Sequence, residues 1–251
     1  MRIYETGRLL AEPFLPPLYK QVRSRLRDLI ADVEPNPSVL DVGGRKSPYT
    51  IGLDARITVI DLPRQSEIQQ KLNLGINEAV LQQLSRRRSN IDSVVLGDMT
   101  CSTLPDGKFD IAVAVEVLEH VEKDARFVTE VSRVLKPGGV FLMTTPNGDW
   151  VENKNPDHRR HYLRQQLSEL LGNIFDEVTV EYAIEGSSYR KMGLKPWSVQ
   201  HPLQTAGSIL GNLVNLYQSS GDEIKSRAMN THHLIAIARK SAKKNGYRGI
   251  F

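Results

Sequence analysis

The chain has 251 residues, 40% of them hydrophobic and 25% charged, with a formal charge of +4, which fits a globular protein with one large α/β domain. Its one cysteine, Cys101, excludes an internal disulfide and any cysteine-rich zinc site. No window approaches the roughly 18 uninterrupted apolar residues of a membrane span, and the amino terminus Met1-Arg2-Ile3-Tyr4-Glu5-Thr6 lacks an apolar signal core, so the expected location is the cytoplasm.

Residues 1–16 read as irregular, with Pro13 and Pro16 interrupting them. Leu18 to Val33 reads as an amphipathic helix, because Leu18, Val22, Leu26 and Ile30 recur at i+4 spacing between charged residues. Pro35 and Pro37 stop it. Ser38–Val42 is a first strand that ends in an acid and a turn, Asp41-Val42-Gly43-Gly44. Ile57–Asp61 is a second, again ending in an acid. Residues 66–88 read as helical with a break near Gly75, and Ser93–Leu96 as a third strand followed by Gly97-Asp98.

Phe109–Val115 is a nearly continuous apolar strand that ends at Glu116. Asp124–Leu135 is a helix with Phe127, Val128, Val131, Val134 and Leu135 on one stripe, ended by Lys136-Pro137-Gly138-Gly139. Val140–Thr145 is a fifth strand, Leu163–Leu171 a helix and Glu177–Tyr182 an alternating edge strand. Leu234–Arg239 is the last strand. This βαβ alternation predicts an α/β fold with a mostly parallel, doubly wound sheet. Residues 184–230 interrupt it, and Ala206–Tyr217 within them reads as an amphipathic helix. Such an insertion packs on the body, covers a substrate pocket or touches a membrane. The chain therefore reads as a single domain, 1–251. It comprises an amino-terminal helical segment (1–37), a core (38–183), an insertion (184–230) and a last strand with a basic tail (231–251).

The chemistry lies at the strand ends. A glycine turn after a buried strand lets backbone approach a ligand closely. Asp61, twenty residues after Asp41, suits a pair of ribose hydroxyls. Asp98 can accept a bond from an adenine amino group, with Leu62 and Met99 placed to pack on the ring. After the fourth strand stands Glu116-Val117-Leu118-Glu119-His120-Val121.

Taken in order, these segments resemble the class I S-adenosylmethionine-dependent methyltransferases, in the subgroup with Glu-Val-Leu-Glu-His after the fourth strand. The resemblance covers residues 38–146, and Thr144-Thr145-Pro146-Asn147 with the later His158-Arg159-Arg160-His161-Tyr162 resembles enzymes of quinone, glycan and natural-product pathways. It implies a Rossmann-like, seven-stranded sheet whose last strand is antiparallel, and S-adenosyl-L-methionine as cofactor. It also implies that Gly43, Gly44, Glu116 and Val117 lie along the methionine part. Asp41 would fix the loop, Asp61 bind the ribose, and Gly97, Asp98 and Met99 the adenine. Arg45 and Ser47 depart from the glycine-rich pattern, so Arg45 must contact the cofactor carboxylate or point away.

An oxygen acceptor also needs a base near neutral pH, for which histidine is suited. His120, His158 and His161 are the catalytic candidates, and His232 and His233 read as structural. No acid–histidine cluster in the sequence calls for a metal. The expected acceptor is a small molecule or glycan methylated on oxygen. The basic runs Arg86-Arg87-Arg88, Arg159-Arg160 and Lys240, Lys243, Lys244 and Arg248 motivate an RNA methyltransferase as one alternative. The incomplete glycine loop motivates a non-catalytic binding protein as another. No RNA-binding module accompanies the basic runs, so nucleic acid is not the expected partner. Peripheral membrane contact and oligomeric state stay open.

Overall fold

The computed structural model describes residues 2–33, 35–63 and 76–242. The expected helix over 66–75 and the basic tail beyond residue 242 lie outside them. The elements in chain order begin with α1 (Ile3–Ala11), α2 (Pro17–Ala31), β1 (Ser38–Val42), β2 (Arg56–Asp61) and α3 (Glu78–Arg87). Next come β3 (Ile91–Leu96), β4 (Phe109–Val115), α4 (Asp124–Val134), β5 (Leu135–Pro146) and α5 (Arg164–Gly172). The chain closes with β6 (Glu177–Glu185), α6 (Ser188–Gly193), α7 (Pro202–Gln218) and β7 (Thr231–Arg239).

The seven strands form one sheet in the order β3-β2-β1-β4-β5-β7-β6. The first five run parallel, and β7 is antiparallel to both β5 and β6. This is the predicted Rossmann-like arrangement. Sheet residues alternate between two cores. Leu40, Ala112 and Phe141 pack with Phe127, Val131 and Leu167 on one face. Val39, Ile57, Val113 and Leu142 pack with Val22, Leu26 and Leu84 on the other. Strands buried on both faces need continuous apolar runs, which is why they stand out in the sequence.

Two stretches differ from the sequence reading. Residues 3–11 are helical, not irregular. The Glu5 carboxylate accepts the Arg2 N–H at 2.7 Å and, with its other oxygen, the Ser89 N–H at 2.6 Å. The prolines mark only the break, and Pro17 opens α2 at the position where a missing N–H costs nothing. Strand β5 begins at Leu135, directly after α4, and the Pro137-Gly138-Gly139 turn is an irregularity in its pairing with β4.

The insertion folds into α6, α7 and a short 3-10 turn, Asp222–Ser226. Helix α7 buries Ser208, Gly211, Asn212 and Asn215, and leaves Leu203, Leu210, Leu213 and Tyr217 exposed. Its polar side chains hold it in place. Asn212 Nδ2 donates to the Phe14 carbonyl at 3.0 Å, and Asn215 Nδ2 to the Glu185 carbonyl at 2.9 Å. Among the described residues, no helix is long and apolar enough to cross a membrane.

Candidate active site

The parallel register sets the carboxyl ends of β1, β2, β3 and β4 side by side. Val42 pairs with Ile60 on one side and Ala114 on the other, and Asp61 pairs with Leu96. The residues that follow these strands, Gly43, Leu62, Gly97 and Glu116, therefore share one edge. That edge is where open α/β sheets bind nucleotide-like ligands.

The glycine turn has two separate reasons for its composition. Gly43 has a φ of 70° and lies across from Val117, whose Cγ2 would be 2.9 Å from a Cβ at that position. A Cβ on Gly44 would overlap the Asp41 carboxyl group. Asp41 is fully buried behind the loop, where it accepts Thr50 Oγ1 at 2.8 Å and Tyr49 OH at 3.3 Å. Burial pushes its pKa up to about 6, although Arg88 and these donors pull the other way. Asp41 thus fixes the loop from the inside. Arg45 is half-buried, and Ser47 is buried.

Asp61 is half-buried at the end of β2. Its Oδ1 accepts the Leu62 N–H at 2.8 Å, and its backbone carbonyl accepts the Gly97 N–H at 3.0 Å. Leu62 is exposed at the rim. Asp98 is exposed and accepts the Thr100 N–H at 2.7 Å, whereas Met99 is buried in the core. The open glycine turn and the ring of acids around it fit an adenosine-bearing cofactor.

Glu116 sits at the centre of the edge, with φ 55°, a backbone state that non-glycine residues rarely adopt and that clusters at functional sites. Thr144 Oγ1 donates to its Oε1 at 3.0 Å, and His233 Nε2 lies 3.4 Å from its Oε2. Burial alone would raise its pKa, but His233 and Thr144 hold it below the ordinary value. A cavity of about 170 Å³ opens beside it. Tyr19 of α2, Arg190 and Leu194 of the insertion, and Asn212 and Asn215 of α7 line this cavity together with Glu116 and His233. Burial lowers the pKa of Arg190 to about 10, an effect that Glu116 opposes. Sequence reasoning missed Arg190 and took His233 as structural. The only local signal was a histidine pair at the start of a strand.

The three histidine candidates do come together. His120 and His158 meet edge to face with ring centroids 4.6 Å apart, and His158 Nδ1 lies 2.8 Å from His161 Nε2. His161 Nδ1 lies 2.8 Å from the Val151 carbonyl, and His120 Nδ1 3.0 Å from that of Asp157. Burial, together with His120 and His161, lowers the pKa of His158. Arg160 is spent on the fold. It pairs with Asp124 at 2.5 Å, and Tyr162 OH donates to the same carboxylate at 2.8 Å. Arg88 of the other basic run is buried and donates to Thr50 Oγ1 at 2.7 Å.

Comparison with known proteins agrees with this geometry. A family model described as a methyltransferase domain matches residues 40–143. A protein of Mycolicibacterium smegmatis named "Probable S-adenosylmethionine-dependent methyltransferase" is 36% identical over 105 residues, which is 40% of this chain and 40% of that protein. The match therefore spans less than half of that relative. A ubiquinone biosynthesis O-methyltransferase of Bradyrhizobium is 40% identical over 57 residues, covering 21% of this chain and 22% of that enzyme. In fold, the crystal structure of a SAM-dependent methyltransferase from Archaeoglobus fulgidus superposes with a TM-score of 0.55 at 18% identity, over 88% of this chain and 94% of that one. The strand order, the glycine turn and the strand-end acids thus accompany a match to a methyltransferase domain over residues 40–143 and the fold of a SAM-dependent methyltransferase.

Proposed function

We propose that this protein transfers a methyl group from S-adenosyl-L-methionine to an oxygen of a small-molecule or glycan acceptor. The observation that carries the reading is the ordered set Gly43-Gly44, Asp61, Asp98 and Glu116 on one sheet edge, with a cavity of about 170 Å³ against Glu116. The cofactor supplies an electrophilic methyl on a sulfonium. Gly43, Gly44 and Val117 leave room for its methionine part, Asp61 binds the ribose hydroxyls, and Asp98 the adenine edge. Tyr19, Leu194 and the α7 side chains hold the acceptor in line and keep water out, which is most of what such a displacement needs. The insertion is thus the far wall of the acceptor pocket. Arg190 gives that pocket a cationic group suited to an acceptor with an anionic substituent. The proton lost by the acceptor goes to the histidine cluster of His120, His158 and His161.

An O-methyltransferase of ubiquinone biosynthesis among the relatives supports an oxygen acceptor. The internal engagement of Arg88 and Arg160 weighs against an RNA-binding surface. The exposed α7 face, with exposed Lys191 and Lys195 nearby, is where a lipid surface would touch. The single cysteine fits the cytoplasm.

Calorimetry with S-adenosylhomocysteine tests the reading. The wild-type chain is expected to bind, and Asp61→Ala to bind at least about tenfold more weakly, the loss of one charged hydrogen-bonding group. No binding at millimolar ligand would sink the proposal. A non-catalytic binding protein would bind equally well but transfer no label from methyl-labelled cofactor to any acceptor in a screen.

A further inference from the structure

The cluster around His120 includes a fourth residue that methyl transfer leaves unused. Glu119 lies in the 3-10 turn Leu118–His120 that follows β4, and it is fully buried. Its Oε2 accepts Thr145 Oγ1 at 3.3 Å, but its Oε1 is buried with no hydrogen-bond partner. Such an orphaned oxygen is costly and calls for an explanation, and a bound cation is one. Glu119, His120 and His158 each offer a ligand atom within 4.8 Å of the other two.

The hydrogen bonds prepare both imidazoles for a cation. A backbone carbonyl can only accept, so His120 donates its Nδ1–H to Asp157 and keeps a lone pair on Nε2. His161 likewise donates Nδ1–H to Val151, so its Nε2 must accept from His158 Nδ1–H, which leaves the His158 lone pair on Nε2 as well. A ligating histidine whose other nitrogen is held by a carbonyl or a second polar group is the usual outer-shell arrangement of metal sites. The two loops are also clamped together, because the Arg159 N–H donates to the Glu119 carbonyl at 2.7 Å.

We propose that Glu119, His120 and His158 bind one divalent first-row transition cation, with Zn²⁺ the best fit, at the turn that follows β4. Two imidazoles and a carboxylate with an open position form a donor set for zinc and its neighbours, not for calcium or magnesium. Donor atoms around a tetrahedral zinc sit roughly 3.4 Å apart, from bond lengths near 2.1 Å. His120 is exposed and His158 half-buried, so both can swing inward on a fixed Glu119. In the role that rests on the proposed methyl transfer, the loaded cation would hold an acceptor hydroxyl and lower its pKa so that the proton leaves to water, whereas the metal-free cluster takes that proton itself. The binding itself does not rest on that reading.

Tag-free full-length protein is titrated with Co²⁺, followed by its visible absorption, and then with Zn²⁺. The expected result is one Co²⁺ per chain, displaced by Zn²⁺, and at least tenfold weaker in both His158→Ala and His120→Ala. Both variants are exposed or half-buried changes and should keep the wild-type melting temperature. They should also keep its affinity for S-adenosylhomocysteine. Absence of Co²⁺ and Zn²⁺ binding up to millimolar metal, or binding unchanged in the two variants, overturns the proposal. Metal binding without S-adenosylhomocysteine binding would instead overturn the methyl-transfer reading and leave the cation site standing.

Discussion

Helix α4 lays Phe127, Val128, Val131 and Val134 against the sheet, whereas α7 lays Ser208, Gly211, Asn212 and Asn215 against its neighbours. Both sequences show apolar residues at helical spacing. In α4 that stripe is the buried face. In α7 it is the outer one, and the inner face is small and polar. The difference follows from what each helix must meet. Sheet faces are apolar and take branched and aromatic side chains. Helix α7 meets backbone carbonyls at Phe14, Gly193 and Glu185, which need donors once covered, and it approaches α6 so closely that a Cβ on Gly211 would stand 2.8 Å from the Gly193 nitrogen. A hydrophobic stripe therefore locates a face without saying whether the chain itself covers it.

Three variants can break or sharpen this contrast. Phe127 is 1% exposed and packs on Phe141 with ring centroids 6.5 Å apart. Phe127→Ala should cost about 3–5 kcal/mol in urea unfolding, the range for a large aromatic lost from a close-packed core. A loss under about 1 kcal/mol would mean that α4 does not depend on its stripe. Asn215→Ala should cost about 1–3 kcal/mol, because the Glu185 carbonyl loses its donor. If a leucine there were better tolerated than alanine, the inner face of α7 would be apolar in character after all. The smallest effect is expected for Leu203→Ser combined with Leu210→Ser, within about 0.5 kcal/mol for each exposed change. A drop of melting temperature in that variant would show that the outer stripe is covered in solution.

The same contrast explains what was legible beforehand. Strands β1, β2, β4 and most of β5 announce themselves because burial on both faces leaves apolar runs, and the acids at 61, 98 and 116 stand out because each stands at or just after the end of a strand. Helix α1 was not legible, since its anchor is one carboxylate that reaches Ser89. The histidines could be picked singly. Their assembly could not, because His120 and His158 come from different loops that only the fold joins. His233 shows the same limit. Its contact with Glu116 depends on the antiparallel seating of β7 against β5, where it pairs with Pro146.

The turn after β1 has a consequence for how such loops are compared across proteins. Gly44 is glycine because of the carboxyl group behind it, and Gly43 because of its own backbone and the valine opposite. Neither of these two constraints bears on positions 45 and 47, which already carry side chains, the one half-buried and the other buried. Counting glycines in this loop thus measures the architecture of the scaffold, not its appetite for a cofactor. A homologue could exchange Gly44 only together with Asp41.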